Sequence, residues 1–142
     1  MLTTMLTGTY NQSMDAKGRM TFPAKLREII GEKFVVTKGL DGCLFVYSLE
    51  DFEAKAMKIS QMPIAQGRNI QRTFMANAVE VEDKQGRVLV PQNLREMAGL
   101  TKEIVVAGVS NRCEIWDKTR WEELNESVDE QEMINAMEGL DF

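Results

Sequence analysis

Histidine is absent from this chain. Its absence removes Ser-His-Asp and Cys-His catalysis and most zinc sites. There is no G-x-S-x-G nucleophile elbow and no G-x-x-x-x-G-K-[ST] phosphate loop. Carboxylates are plentiful, but their spacing pairs none of them for acid–base work. The two cysteines, Cys43 in "GCLFVY" and Cys113 in "RCEIW", have neither metal-ligand nor redox-motif spacing and read as free thiols in a core. No apolar run approaches the length of a membrane span. The start, "MLTTMLTGTY", lacks a charged n-region and an apolar h-region, so a cytoplasmic protein is the default. Basic residues are also missing from one end: after Arg120 there is no Lys or Arg.

That last absence changes the meaning of the net charge of −5, which at first sight argues against a nucleic-acid partner. Glu122, Glu123, Glu126, Asp129, Glu130, Glu132, Glu138 and Asp141 form an acidic tail. Without those eight, residues 1–121 carry 17 basic and 14 acidic groups, a net +3. For DNA a local patch matters more than the total. The 142 residues suit one compact unit or two small ones.

What the chain does contain is itself, twice. Asp15, Gly18, Arg19, Pro23, Leu26, Arg27, Glu28 and Gly31 recur, 68 residues later, as Asp83, Gly86, Arg87, Pro91, Leu94, Arg95, Glu96 and Gly99. Further on, "FVVTKG" aligns with "EIVVAG", setting Phe34 against Glu103 after one extra loop residue, and "LFVYSLEDF" aligns with "CEIWDKTRW". Each copy reads as strand, turn, strand, short helix, strand, strand and amphipathic helix. "GTYNQSM" and "ANAVEVE" are predicted strands, followed by "RMTF" and "RVLV". Pro23 and Pro91 are expected at the first helical position, with Gly31 and Gly99 ending those helices. Asp41-Gly42 signals a hairpin. Ser48 with Asp51, and Asp117, are expected helix caps. After Pro63, "IAQGRNIQRTFMANA" is expected to form one helix joining the copies. Beyond Ser127, helical spacing at Met133, Ile134 and Met137 competes with acidity and Gly139. One such unit alone is marginal in size, so the two copies are expected to share a core about a pseudo-twofold axis. The divisions are 1–54 and 77–121 for the repeats, 55–76 for the linking helices and 122–142 for the tail.

Spacing alone favours a solvated turn for D-x-x-G-R, its arginine paired with the aspartate. The stretches "GTYNQSMDAKGRMTFPAKLRE", "CLFVY" and "DKQGRVLVPQNLREMAGLTKEIVVAGVSNRCEIWD" resemble the MraZ family of bacterial transcriptional regulators, from about Met5 to about Trp121. The resemblance implies a mainly β fold with short helices (α+β), built as a tandem, pseudo-twofold, swapped-hairpin β-barrel like those of AbrB and SpoVT. It implies a ring-shaped homo-oligomer that binds short direct repeats in the promoter upstream of its own gene and controls the cell-division and cell-wall gene cluster. The expected partners are double-stranded promoter DNA and further copies of the chain, with no membrane, small-molecule substrate, cofactor or metal. The expected location is the cytoplasm, at the nucleoid.

The same resemblance assigns DNA contact to the D-x-x-G-R segment, and so to Lys17, Gly18 and Arg19, with Asp15 orienting the turn and Lys25 adding charge. Arginine can hold guanine O6 and N7 together, whereas lysine acts as a point charge on phosphate. From Asp15 to Lys38 there are six basic and three acidic residues. In the second copy Gln85 and Asn93 replace Lys17 and Lys25, so Asp83, Gly86 and Arg87 form a secondary, more structural motif. Arg27 and Arg95 read as helix-surface or inter-repeat partners, Arg68 and Arg72 as a solvated or subunit face, and Trp116 and Trp121 as packing. The competing classes are an enzyme, for which no motif speaks, and an interaction scaffold, which would show no salt-dependent DNA binding.

Overall fold

The computed structural model describes residues 5–142. Each copy runs strand, strand, helix, strand, strand, helix. The first copy comprises β1 (Thr9–Ser13), β2 (Arg19–Thr21), α1 (Ala24–Ile30), β3 (Lys33–Lys38), β4 (Leu44–Ser48) and α2 (Leu49–Ser60). Helix α3 (Ile64–Ile70) follows and runs into a π-helical turn, Gln71–Met75. The second copy comprises β5 (Val79–Glu82), β6 (Arg87–Leu89), α4 (Gln92–Ala98), β7 (Glu103–Gly108), β8 (Cys113–Asp117) and α5 (Lys118–Ser127). A last helix, α6 (Glu130–Glu138), ends the chain.

Local chemistry accounts for most boundaries. Asp41 and Gly42 both take positive φ, 64° and 93°, the geometry of the tight turn that matches strand twist. The Ser48 hydroxyl accepts the Asp51 N–H at 3.1 Å and caps α2. Gly99 ends α4 in the left-handed region. Pro23 and Pro91 sit one position earlier than expected, as N-caps: both have extended ψ, and their carbonyls accept the first helical bonds. Asp117 makes no capping bond to α5; its carboxylate instead accepts the Thr101 hydroxyl at 2.7 Å. The linking helix runs on unbroken from Ile64 to Met75, but its last turn widens to π geometry. At the π turn Phe74 packs against Tyr47 and Phe52, with ring centroids 5.8 and 5.6 Å away, and its carbonyl accepts the Thr37 hydroxyl.

The strands pair across the copies. One sheet has the order β1-β7-β8-β4-β3-β5, and β2 and β6 form a separate antiparallel ribbon. β1 of the first copy pairs with β7 of the second, and β5 of the second pairs with β3 of the first. This exchange puts a pseudo-twofold axis through the middle of the molecule. At the sheet it passes between Phe45 and Glu114, which face each other where β4 meets β8; at the ribbon it passes between Met20 and Val88. The expected swapped, shared-core α+β fold is therefore present, but no closed barrel forms. β1 and β5 are sheet edges, and the ribbon is a second layer, tied to β1 through the single bridge Met14–Met20.

Alternation explains the continuous buried runs in the inner strands. Phe34, Val36, Leu44, Val46, Ile104, Val106 and Ile115 face the core beneath the ribbon, α1 and α4. Val105 and Trp116 face the other way, toward Trp121 and Leu124 of α5. Cys113 belongs to the first cluster and Cys43 to the second. Burial pushes both thiols up to about 12, which makes them inert packing groups.

Pairing also corrects the alignment of the copies. Phe34 pairs with Ser48 and Ile104 pairs with Asp117, so Phe34 corresponds to Ile104, not Glu103. Phe34 and Ile104 are both fully buried, whereas Glu103 is exposed. The second copy thus has two extra residues before this strand, and a one-residue slip would have turned its apolar set inside out.

Candidate nucleic-acid interface

The ribbon lies at one end of the pseudo-twofold axis. Its central pair, Met20 and Val88, is 1% exposed and anchors it to the core. Alternation then turns Arg19, Thr21, Arg87 and Leu89 outward, with Arg19 opposite Leu89 and Thr21 opposite Arg87. The two motif arginines thus share one surface, and their side chains are 52% and 54% exposed. Thr21 and Leu89 were not singled out by the motif; the period-2 alternation on either side of Met20 and Val88 is the signal that finds them.

Asp15 organises this surface. One carboxylate oxygen accepts the backbone N–H groups of Lys17 and Arg19, each at 2.9 Å. The other accepts Arg19 Nε at 2.8 Å and lies 3.5 Å from Arg87 Nη2. The Arg19 backbone N–H is the largest influence; together with the Arg19 side chain and the Lys17 N–H it outweighs an opposing desolvation and holds the Asp15 carboxyl down at about 2, against an ordinary 3.8. Asp15 therefore stays ionised and keeps both guanidinium groups beside it.

The second aspartate does something else. Asp83 is 6% exposed; its Oδ1 accepts the Gly86 N–H at 2.8 Å and lies 3.6 Å from Arg27 Nη1. The cause is one residue. By strand pairing Ser13 matches Glu82, so Asp83 follows its strand at once while Met14 intervenes before Asp15. Met14 is buried at 5%, and its insertion carries Asp15 to the surface.

The turns differ accordingly. In the first, the Gly18 N–H bonds the Asp15 carbonyl, and Gly18 takes φ of +89°. In the second, Lys84 and Arg87 bond each other directly, with Gln85 at φ 56° and Gly86 at φ 83° between them. A Cβ on Gly18 would meet Arg95 Nε at 2.5 Å and the Val90 carbonyl at 2.7 Å; on Gly86 it would meet nothing within 4 Å.

Arg27 and Arg95 are inter-repeat partners. Arg27 reaches Asp83 of the second copy, and Arg95 reaches the Ala16 carbonyl of the first at 3.5 Å while bonding Val90 O at 2.9 Å. Lys17 and Lys25 are exposed, as are Lys84 and Gln85 of the other turn. Arg68 and Arg72 are exposed on the linker. Trp116 is buried and Trp121 half-buried, with ring centroids 5.9 Å apart, so both serve packing. Among the described residues no helix is long and apolar enough to cross a membrane.

Known proteins share this arrangement of sequence. The MraZ protein family matches residues 5–72 and again 74–140, one match per copy. A transcriptional regulator MraZ from Acetivibrio thermocellus is 54% identical over 121 residues, covering 83% of this chain and 85% of its own. One from Thermoanaerobacter sp. (strain X514) is 52% identical over 128 residues, covering 88% and 90%. One from Caldicellulosiruptor bescii is 46% identical over 141 residues, covering 96% and 99%. With two family matches spanning nearly the whole chain and relatives this similar along most of their length, the chain belongs to the MraZ family.

Proposed function

We propose that this chain is a sequence-specific, DNA-binding transcriptional regulator that enters the major groove with the β2–β6 ribbon. The observation that carries the reading is the twofold-related display of Arg19 and Arg87 on one exposed ribbon face, both beside Asp15. A two-stranded ribbon fits the major groove, which is about 12 Å wide, and arginine can bind a guanine there through two bonds. Lys17 and Lys25 supply phosphate contacts, Gly18 lets the turn close against Arg95 and Val90, and Asp15 positions Arg19. The second motif, Asp83, Gly86 and Arg87, serves the ribbon's geometry first. The relatives' name, transcriptional regulator, supports the class.

In full, the reading is a ring-shaped homo-oligomer at the nucleoid. It binds short direct repeats in the promoter upstream of its own gene and regulates the cell-division and cell-wall cluster without catalysis or cofactor. Footprinting the protein on the DNA upstream of its gene tests it. Protected segments should recur near one helical turn, about 10 bp. Affinity should fall steeply with salt, and Lys17→Ala should lower the salt slope by roughly one unit per lost phosphate contact. No protection at any salt concentration contradicts the reading and favours a scaffold.

A further inference from the structure

Far from the ribbon, the two copies treat the outer face of the sheet differently. In the second copy α5 covers it, with Trp121 and Leu124 on Trp116. In the first copy α2 and the linker leave a groove of about 630 Å³ between them and the β3–β4 hairpin. Its floor and walls are apolar, with Phe45, Phe74, Ile59 and Ile70 among them, and Leu40 stands at its edge 70% exposed. Every charged residue lining it is a lysine: Lys38, Lys55 and Lys58. Lys55 already leans over the Tyr47 ring, 5.3 Å from its centroid.

The same chain carries a segment of complementary character. Every residue from 125 to 142 is exposed, so the body of the molecule does not cover α6. Met133, Ile134 and Met137 form an apolar stripe, 50%, 41% and 38% exposed, and Leu140 extends it at 73%. Glu130, Glu132, Glu138 and Asp141 flank the stripe, and no basic residue does. An amphipathic helix presenting anchors at this spacing is the partner that an apolar groove takes, and methionine adapts to irregular walls. Acid on the helix and lysine on the rim set the match.

We propose that α6 of one chain docks in the lysine-rimmed groove of a second copy. The inference rests on the self-assembly part of the proposed function and names its joint. Each chain offers one groove and one tail, so the contact is head-to-tail; repeated, it closes into a ring when the rotation per step permits. The acidic tail is then a connector, and its charge serves the groove, not the DNA face.

The test is a cross-link between differently marked copies of the full chain. One variant carries Asn69→Cys in the groove, the other Ala136→Cys on the tail helix, and a short bis-maleimide joins them. Cys43 and Cys113 are buried and stay unreacted. The proposal expects a two-chain species from the mixture, lost when Lys55→Glu and Lys58→Glu are added to the groove partner. Light scattering accompanies it. Assembly of the mixture without that cross-link overturns this joint and leaves assembly standing. A cross-link only within a chain carrying both cysteines, with none in the mixture, shows the tail folding onto its own groove and also overturns it. A monomer at micromolar concentration overturns the assembly reading and the joint together. As a second measurement, a chain ending at Ser127 should keep its circular dichroism per folded residue but lose the assembled mass. Unchanged mass overturns the proposal.

Discussion

The two D-x-x-G-R turns have the same letters and opposite aspartates. Asp15 lies at the surface, holding Arg19 and approaching Arg87; Asp83 lies in the core, closing its own turn on Gly86 and meeting Arg27 from the other copy. The difference comes from one buried residue, Met14, between strand and motif. In a strand an insertion of one reverses which face a side chain takes. A repeated motif is therefore no guarantee of a repeated role. The first copy has become the one whose acid orients the arginines, and the second the one whose acid holds the fold.

The glycines should separate the copies most. Gly18→Ala combines a left-handed backbone with collisions against Arg95 and the Val90 carbonyl, and should cost about 3 kcal/mol. Gly86→Ala has open space and should cost about 1 kcal/mol, for the backbone alone. Urea unfolding of both variants checks this; equal losses would mean the inter-repeat contact of Arg95 is immaterial.

The aspartates come next. Asp83→Ala removes a buried turn bond and leaves Arg27 without its partner, and should cost about 2 kcal/mol. Asp15→Asn should change stability less at neutral pH, because the group is exposed. Its effect should instead depend on pH. The folded carboxyl titrates at about 2 and the unfolded one near 3.8, so its contribution is present above pH 3.8 and is lost as pH falls toward 2. Unfolding curves of the parent and Asp15→Asn should therefore converge between about pH 4 and pH 2. A constant gap across that range would show that Asp15 is not held as described.

The smallest effect should be a gain. Gln85 takes a left-handed conformation, φ 56°, that asparagine tolerates better. Gln85→Asn should stabilise the chain by a few tenths to about 1 kcal/mol, read as a raised melting temperature. The first copy has no counterpart, since there Gly18 takes the positive φ.

Much of this fold was legible in the chain. The strands, the short helices, the Asp41-Gly42 turn, the Ser48 cap and the Gly99 stop follow from chemistry within a few residues. The shared core followed from the repeat. What failed was whatever depends on partners distant in sequence. The offset of Phe34 is not legible because identities cluster in the motif and do not constrain the loop after α1. Asp117 capped nothing because Thr101, sixteen residues away, took its carboxylate. The π turn answers to Phe74 packing on Tyr47 and Phe52, which no local pattern shows. At the site, the motif named both arginines but not the separation of Asp15 from Asp83, since Met14 reads as one more strand residue.

The central proposal is that the first copy leads in reading DNA, although the fold displays both arginines alike. A gel-shift series on the promoter fragment upstream of the gene, comparing Arg19→Ala with Arg87→Ala, tests it most directly. Arg19 has Lys17 and Lys25 in its copy and the tighter hold of Asp15; Arg87 has Gln85 and Asn93 in theirs. Losing a two-bond guanine contact costs about 1–3 kcal/mol of discrimination, and an oligomer repeats that loss at each bound subunit. Arg19→Ala should abolish specific binding while circular dichroism and mass in solution stay unchanged, and Arg87→Ala should retain specific binding with a lesser loss. Equal and complete loss in both, with both proteins folded, would make the two copies equal readers and contradict the account.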